Sequence, residues 1–219
     1  AKTQNAKLTL GKVNKHPANP LFGEDKPWEA RFDNLYANVI YDKEEEIYKC
    51  WYSPFIIDKS AKGMTPAQRE KPYSAPENRE MAICYATSQD GINWKKPFLG
   101  VVDFNGSKKN NIVWRKIDAD SEYWKGPHGA GIFKDLEEPN PSRRYKAIFK
   151  AKMLSVGFSA DGIHWDKVIP CPEAEVAGDT HNNALWAPTL NKYVGITRTW
   201  GEKYGRQVAR VESKDFVDW

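Results

Sequence analysis

The sequence has 219 residues, 40% hydrophobic and 13% aromatic, which is enough apolar material for a folded core and too much for a disordered chain. Lys and Arg number 33 against 29 Asp and Glu, a net charge of +4, and they are scattered rather than clustered, so nucleic acid is not an expected partner. No apolar run approaches the roughly 20 residues that span a bilayer, so the sequence predicts no membrane partner either.

Residues 1–33 are predicted to be an N-terminal entry segment. Pro and Asn exclude a helix across the first half of the stretch KHPANPLFGEDKPWEARFDN, residues 15–34. Trp28, Glu29 and Asp33 stand just ahead of the first predicted strand, and we take them as candidate functional residues. Two alternatives stay open at this point: Glu29 is a solvent-exposed acid beside Lys26, or Trp28 belongs to the core.

Residues 34–99 are predicted to form a first sheet, or blade. NVIYDKEEEIYKCWYS has two apolar runs around a polar turn, the pattern of a β-hairpin. Residues 54–78 carry four prolines and no sustained periodicity, so they are predicted to be a loop inserted into this blade. Residues 100–126 are predicted to link the first blade to the next one.

Residues 127–168 and 169–219 are predicted to form a second and a third blade. In each, as in the first, the second strand of the hairpin opens at a tyrosine: Tyr48, Tyr145 and Tyr193. The last two are 48 residues apart, close to the roughly 40 to 50 residues of a propeller blade. The repeat therefore predicts three units of four short antiparallel strands.

A turn motif closes every unit: Ser, then Asp two residues later, then Trp four beyond it. The three copies are Ser88, Asp90 and Trp94; Ser159, Asp161 and Trp165; and Ser213, Asp215 and Trp219. Asp binds the backbone ahead of it, while Trp packs against a neighbouring sheet. The fold class predicted is an all-β propeller. Three blades do not close a ring, so we expect an incomplete chain whose remaining blades come from a missing C-terminal part or from another chain.

In a propeller, the innermost strand of each blade begins at the funnel, the open mouth of the central channel. Counting back equally from the three hairpin turns aligns residues 34–36, 127–129 and 179–181 at that position. The aligned segments include GPHGAG with His128 and GDTHNN with Asp179 and His181, which are polar where a structural strand is apolar. Asp179 and His181 are two residues apart and share one face of a strand. The alternative is a satisfied turn or strand cap. Asp135 aligns with Asp42 in a hairpin turn and is interpreted as structural.

The phrases HPANPLF, NVIYD, YKCWY, YATSQDGINW, NGSKKNNIV, FSADGIHW, DTHNN and SKDFVDW together resemble bacterial glycoside hydrolase family 32-like proteins. These belong to the superfamily of five-bladed β-propellers that includes families 43, 62, 68 and 130. The resemblance covers nearly the whole chain and implies a five-bladed propeller that acts on glycosides. The chain departs from the invertase pattern, since it has neither WMNDPNG nor an Arg-Asp-Pro triplet, so the invertase nucleophile cannot be carried over.

The activity that the resemblance implies needs two carboxyl groups, one protonated and one ionised, on either side of the glycosidic oxygen. By position rather than by motif, Asp179 and Glu29 are the candidate catalytic pair. The candidate substrate-binding residues are His181, His128, Asp33, Trp28, Arg198 and Arg79. The two arginines are chosen because arginine binds carboxylates or anionic sugars bidentately, although a surface ion pair is the alternative.

The leading hypothesis is therefore a glycoside hydrolase that acts on a bacterial, plant or algal polysaccharide or oligosaccharide. A non-catalytic glycan-binding propeller is one alternative, because the chain lacks the invertase signatures and has nine Trp able to stack on sugars. A family 130-like phosphorylase, which needs a cationic phosphate pocket, is the other. No cofactor is required and no metal ligand is predicted, although the superfamily allows an axial Ca²⁺ or other cation. The expected partner is a carbohydrate, and the expected location is secreted or periplasmic, with a leader that is not in this chain.

Overall fold

The computed structural model describes residues 5–59, 63–65, 67–68, 79–117, 125–179 and 181–219. Within these ranges the chain forms fourteen β-strands, β1 to β14, together with short 3-10 turns such as Pro141–Arg143. In this described part of the chain, no helix has the length and apolar character needed to cross a membrane. The predicted all-β class is confirmed.

The first sheet contains five antiparallel strands: β1 (Asn38–Asp42), β2 (Ile47–Tyr52), β5 (Ile83–Ser88), β6 (Trp94–Lys95) and β7 (Ile112–Trp114). The first four are adjacent in that order, and β7 also pairs with β5. Strand β7 lies in the predicted link 100–126, which is therefore not only a connection. Its Ile-Val-Trp triplet is apolar: Ile112 and Val113 are buried, and Trp114 packs against the same core cluster as Val113.

The predicted loop 54–78 begins with a strand. Strand β3 (Phe55–Asp58) pairs antiparallel with β4 (Arg79–Met81) and forms a separate two-stranded sheet. Phe55 and Ile56 are buried, which explains why this stretch is not a solvated loop despite its proline neighbour. The rest of the predicted loop, residues 60–62, 66 and 69–78, lies outside the described residues.

The second sheet has the predicted four strands: β8 (His128–Lys134), β9 (Tyr145–Lys150), β10 (Leu154–Ser159) and β11 (Ile169–Pro170). The third sheet has three: β12 (Asn183–Ala187), β13 (Lys192–Gly201) and β14 (Gly205–Ser213). The fourth strand predicted for this sheet does not form within residues 181–219. The exact division of the chain into blades stays a prediction.

The three sheets are arranged radially, because the first strand of each one meets its neighbour. Strand β1 contacts β8, and β8 contacts β12. Between the first two sheets lies a core that includes Trp51, Tyr145 and Phe149, and a second core around Ile148 and Phe216 lies between the second and third sheets. This packing is that of successive propeller blades around a common axis rather than that of a flat sandwich.

The repeated turn motif acts as predicted, and the second copy shows how. Ser159 Oγ accepts a hydrogen bond from the backbone N–H of Gly162 at 2.9 Å, and Asp161 Oδ1 accepts from the N–H groups of Ile163 and His164 at 2.8 Å each. The indole of Trp165 donates to the carbonyl of Gly162 at 3.1 Å. The first and third copies repeat these bonds.

The glycine position of the third copy is occupied by Phe216, which has a φ of 68°, a costly conformation for a bulky residue. The ring of Phe216 is fully buried and contacts the rings of Phe158, Tyr193 and Trp219. Packing in the core between the second and third sheets offsets the backbone strain. The same turn therefore tolerates Phe in place of Gly.

Replacing Asp161 by alanine should lower the free energy of unfolding by about 1–2 kcal/mol, the usual effect of removing a side chain that caps backbone N–H groups. Burial opposes ionisation of Asp161, but hydrogen bonds from His164 and Ile163 outweigh it and lower its pKa to about 2. Urea unfolding at pH 7 measures the loss. Asp166→Ala is the matched control, because Asp166 is an exposed acid in the same loop. Equal stability of the two variants would contradict the capping role.

Candidate active site

The three aligned inner-strand ends meet at one place. The ring of Tyr36, two residues before β1, lies 5.4 Å from the ring of His128 and perpendicular to it. The same tyrosine ring lies 5.3 Å from the ring of His181, which precedes β12. Each of the three sheets thus contributes one ring to a common aromatic cluster. Thr180, within the third aligned segment, lies outside the described residues.

Glycines in GPHGAG allow this close approach. A Cβ on Gly131 would lie 1.9 Å from the carbonyl oxygen of Asn182, and one on Gly126 would lie 2.1 Å from that of Met81. Asn182 also ties the second sheet to the third, since its side-chain amide donates to the carbonyls of Gly129 and Gly178, at 2.9 Å each. The polar and glycine-rich composition of these segments is therefore explained partly by backbone packing at the axis.

Asp179 is held by two cationic or hydrogen-bonding partners. Its Oδ1 lies 2.9 Å from Nε2 of His128, and its Oδ2 lies 2.8 Å from a terminal nitrogen of Arg198. The hydrogen bond from His128 lowers the pKa of Asp179, and the charges of Arg198 and Lys150 add to the effect against the opposing influence of burial. Asp179 is therefore ionised at neutral pH. It suits the role of a base, a nucleophile or an electrostatic stabiliser, and does not suit that of a proton donor.

His181 is a neutral imidazole, because burial lowers its pKa. Its Nε2 lies 3.3 Å from Oδ1 of Asn38. The amide of Asn38 is oriented by the bonds that its Nδ2 donates to the carbonyls of Tyr36 and Ala130, at 2.8 and 2.9 Å. Since Oδ1 of Asn38 only accepts, Nε2 of His181 carries the proton and Nδ1 carries a lone pair.

Tyr36 is a site residue that sequence reasoning did not select. It has a φ of 46°, in the left-handed region that costs energy for an aromatic residue. Such strain occurs at functional sites, and here it turns the tyrosine ring between two histidines. The only signal in the sequence was its place in the aligned segment 34–36. Asn38, Lys150 and Asn182 were missed too, since amide and lysine side chains have no motif there.

Glu29 does not join Asp179, so the predicted pairing of these two acids is corrected. Glu29 is buried on the face of the first sheet that points away from the second, where Oε1 lies 2.7 Å from the hydroxyl of Tyr52 and 2.7 Å from Nζ of Lys96. Its Oε2 accepts from the backbone N–H groups of residues 25 and 26. A carboxylate with this many donors fixes the entry segment on the sheet. It is not the exposed acid of the alternative interpretation either.

Three other predicted residues lie away from Asp179. Trp28 belongs to the core, with 7% of its surface exposed, and its indole donates to Oδ1 of Asn111 at 2.7 Å. Arg79 is buried on β4, with its guanidinium over the ring of Phe55 at 4.6 Å. Asp33 lies 3.6 Å from Nε of Arg31 at the end of the entry segment, three residues before Tyr36.

The residues that the structure brings together are therefore His128, Asp179, His181 and Arg198, with Tyr36 added. Asp135 is buried in a hairpin turn with Lys146 and Tyr193, as its structural interpretation predicted. Among the residues described, no group of three or more His, Cys, Asp or Glu side chains has the geometry of a metal site. An axial cation stays a prediction.

Comparisons with known proteins support the fold. No family model matches the chain, and no curated protein matches it in sequence. A proposed glycoside hydrolase from Bacteroides ovatus has a similar structure, with a TM-score of 0.54 and 14% identity over 96% of this chain and 59% of its own. A second glycosyl hydrolase from B. ovatus has a TM-score of 0.50 and 17% identity, and covers 84% of this chain and 47% of its own.

A third similar structure comes from the GH130 family of mannoside phosphorylases, which contains hydrolases that target β-1,2-mannosidic linkages in Candida mannan. It has a TM-score of 0.50 and 19% identity over 84% of this chain and 47% of its own. The chain thus spans about half the length of the solved structures that it matches. At these identities the likeness concerns the fold alone, and it confirms the five-bladed β-propeller fold that the sequence resemblance implied.

Proposed function

We propose that this chain forms part of a glycoside hydrolase whose reaction takes place in the funnel. The observation that carries the proposal is the ionised carboxylate of Asp179, held between His128 and Arg198 where the inner strands of three sheets meet. Solved structures with the same fold are glycoside hydrolases, which supports a substrate of the same class. Water adds across the glycosidic bond, so that the leaving oxygen gains a proton and the anomeric carbon gains a hydroxyl group.

In this proposal Asp179 provides the ionised carboxyl group, either activating water or attacking the anomeric carbon. His128 and Arg198 position it and keep it charged. The second carboxyl group, which protonates the leaving oxygen, is not supplied by Glu29, whose carboxylate is buried against Tyr52 and Lys96.

Asp179→Asn should reduce kcat on a cleaved oligosaccharide at least about 100-fold, because an amide cannot act as base or nucleophile. The protein is screened against plant, algal and bacterial oligosaccharides with reducing-end detection, and the variant is then measured on the substrate found. Glu46→Gln, an exposed acid in the hairpin turn between β1 and β2, is the matched control and should retain full activity. Unchanged turnover in a folded Asp179→Asn protein would refute the assignment.

A glycan-binding propeller without catalysis is the second candidate, since both oxygens of Asp179 already have partners and the ion pair is explicable as structural. Binding in the same screen without release of reducing ends selects this candidate. Release that depends on inorganic phosphate and yields a sugar phosphate selects a phosphorylase instead. Secretion, an axial cation and pairing with further blades remain separate predictions.

A further inference from the structure

The third sheet carries a hairpin that extends beyond its own body. Strand β12 pairs with β13 only as far as Asn183 opposite Ile196, whereas the β13–β14 ladder continues to Gly201 opposite Gly205. In the second sheet the equivalent hairpin closes at Lys150 opposite Leu154, five residues after its tyrosine. We name the additional residues, 199–207, the rim hairpin.

The rim hairpin rises on the funnel side, next to Asp179. Strand β13 enters it directly after Arg198, whose guanidinium is bonded to Asp179 at 2.8 Å and whose carbonyl accepts from the N–H of Gly178. Because the chain is extended here, Trp200 lies two residues, or about 7 Å, farther along the strand. The hairpin thus continues the wall of the candidate active site outward.

Two aromatic rings on the rim hairpin are exposed and accompanied by cations. Trp200 is 57% and Tyr204 69% exposed. The guanidinium carbons of Arg198 and Arg206 lie 5.0 and 5.7 Å from the centre of the Trp200 ring, and Nζ of Lys203 lies 5.0 Å from that of Tyr204. Arg206 is the cross-strand partner of Trp200.

Packing between sheets does not explain Trp200. Ile196 follows Tyr193 by three residues, as Ile148 follows Tyr145, and Ile148 is buried in the core between the second and third sheets. Ile196, in the body of the third sheet, is exposed, but it lies at the position that packs against a neighbouring sheet in the second sheet. Trp200 lies beyond that body, where the second sheet has already turned back.

The charge of the rim hairpin is positive. Residues 199–207 contain two cations, Lys203 and Arg206, and one acid, Glu202, and a third cation, Arg198, directly precedes them. Lys150 adds positive potential beside Asp179. An exposed indole stacks on the apolar face of a pyranose ring, and a guanidinium beside it matches a carboxylate or sulfate bidentately. Both features occur here within one hairpin.

We propose that the rim hairpin is an outer subsite for an anionic sugar unit, a uronate or a sulfated sugar, of the glycan that enters the funnel. Trp200 stacks on the sugar ring, and Arg206 pairs with its acidic group. Arg198 links this subsite to Asp179 by contacting both the Trp200 ring and the carboxylate. The inference rests on the proposed function for the identity of the ligand as a glycan, and it adds the chemical class of that glycan.

The test measures affinity rather than turnover. The probes are tetrasaccharides from polygalacturonate, alginate and a glucuronan, each beside its carboxyl-reduced form, and a sulfated galactan tetrasaccharide beside its desulfated form. By isothermal titration at 50 mM salt, at least one acidic probe should bind 10-fold or more tightly than its neutral counterpart. Its affinity should fall as salt is raised to 300 mM, because the pairing is exposed and is screened.

Arg206→Gln should remove this preference, weakening the acidic probe about 10-fold and leaving the neutral one unchanged. Trp200→Ala should weaken both forms about 10-fold, because stacking does not depend on the acidic group. Arg210→Gln is the matched control: it lies on the same strand and face, is paired with Glu212, and should behave as the unmodified protein. Circular dichroism and melting curves check that every variant folds.

Two results would overturn the subsite: equal affinity for every acidic probe and its neutral counterpart, or a preference that survives in Arg206→Gln. These outcomes are independent of the test on Asp179. If Asp179→Asn retains turnover while Arg206→Gln loses the preference, the catalytic assignment fails and the subsite stands. If Asp179→Asn loses turnover and no acidic preference exists, the catalytic assignment stands and the subsite fails.

Discussion

Lys146→Met should lower the free energy of unfolding by about 3–5 kcal/mol, the range found when one partner of a buried ion pair is removed. The Lys146 side chain is 0% exposed, and its Nζ lies 2.8 Å from both Asp135 and Glu138. The hydroxyl of Tyr193, from the third sheet, donates to the same Asp135 at 2.7 Å. Without the lysine, a buried carboxylate at the interface of two sheets loses its cation.

The same arrangement occurs one sheet earlier, which indicates a repeated structural element rather than an isolated ion pair. Lys49 lies 2.8 Å from Asp42, and Tyr145 of the second sheet donates to Asp42 at 3.1 Å. In both cases a turn aspartate of one sheet is joined to the opening tyrosine of the next. This element also explains the two aspartates without any catalytic role.

Lys192→Met is the matched control, since Lys192 pairs with Glu212 at 2.6 Å but both side chains are about a third exposed. Exposed pairs contribute up to about 1 kcal/mol. Urea unfolding of both variants at pH 7 compares the two positions. A loss for Lys146→Met no larger than for Lys192→Met would show that the buried pair does not stabilise the interface.

The acid dependence of stability gives a second measurement of the same pair. Burial opposes ionisation of Asp135, but the hydrogen bonds from Lys146 and Tyr193 outweigh it and lower its pKa. A lowered pKa contributes stability that is complete above the unfolded value of about 4 and is lost as pH falls toward the folded value. Lys146→Met removes the main lowering interaction, so its stability should fall less than that of the unmodified protein between pH 5 and 3.

Local chemistry explains what the sequence was able to predict. The turns at Ser88, Ser159 and Ser213 were found because Ser, Asp and Trp at fixed spacing make the hydrogen bonds of the turn within the motif itself, without distant residues. Counting back from the hairpin turns then brought the segment with His128 into register with the segment that contains Asp179, because strand geometry is regular over short distances.

Non-local pairing explains what the sequence did not predict. Strand β7 pairs with β5 across more than twenty residues, and no feature of an Ile-Val-Trp triplet specifies that partner. Glu29 was misplaced because the entry segment is irregular, so the sequence does not reveal which face of the first sheet it covers. Tyr36 was overlooked because its orientation depends on a left-handed backbone that a non-glycine residue adopts only in its tertiary context.

Gly131→Ala should lower the free energy of unfolding by about 3 kcal/mol and also impair the candidate active site. The new methyl group would lie 1.9 Å from the carbonyl oxygen of Asn182 and 2.8 Å from its carbon, which is backbone and cannot rotate away. Strands β8 and β12 must therefore separate where they contact near the axis. Overpacking usually costs about 1–3 kcal/mol, and a clash with backbone belongs at the upper end.

Separating strands β8 and β12 would also displace Asp179. The backbone N–H of Asn182 donates to the carbonyl of Gly129 at 2.8 Å, and its side chain binds Gly178, the residue before Asp179. Moving Asn182 therefore displaces Asp179 from His128, and turnover or glycan affinity should fall in the fraction that remains folded. Gly23→Ala is the control, because a Cβ there meets nothing within 4 Å and should change neither property. Equal stability of the two alanine variants would mean that strands β8 and β12 are not packed this closely. That result would contradict the geometry proposed for the funnel.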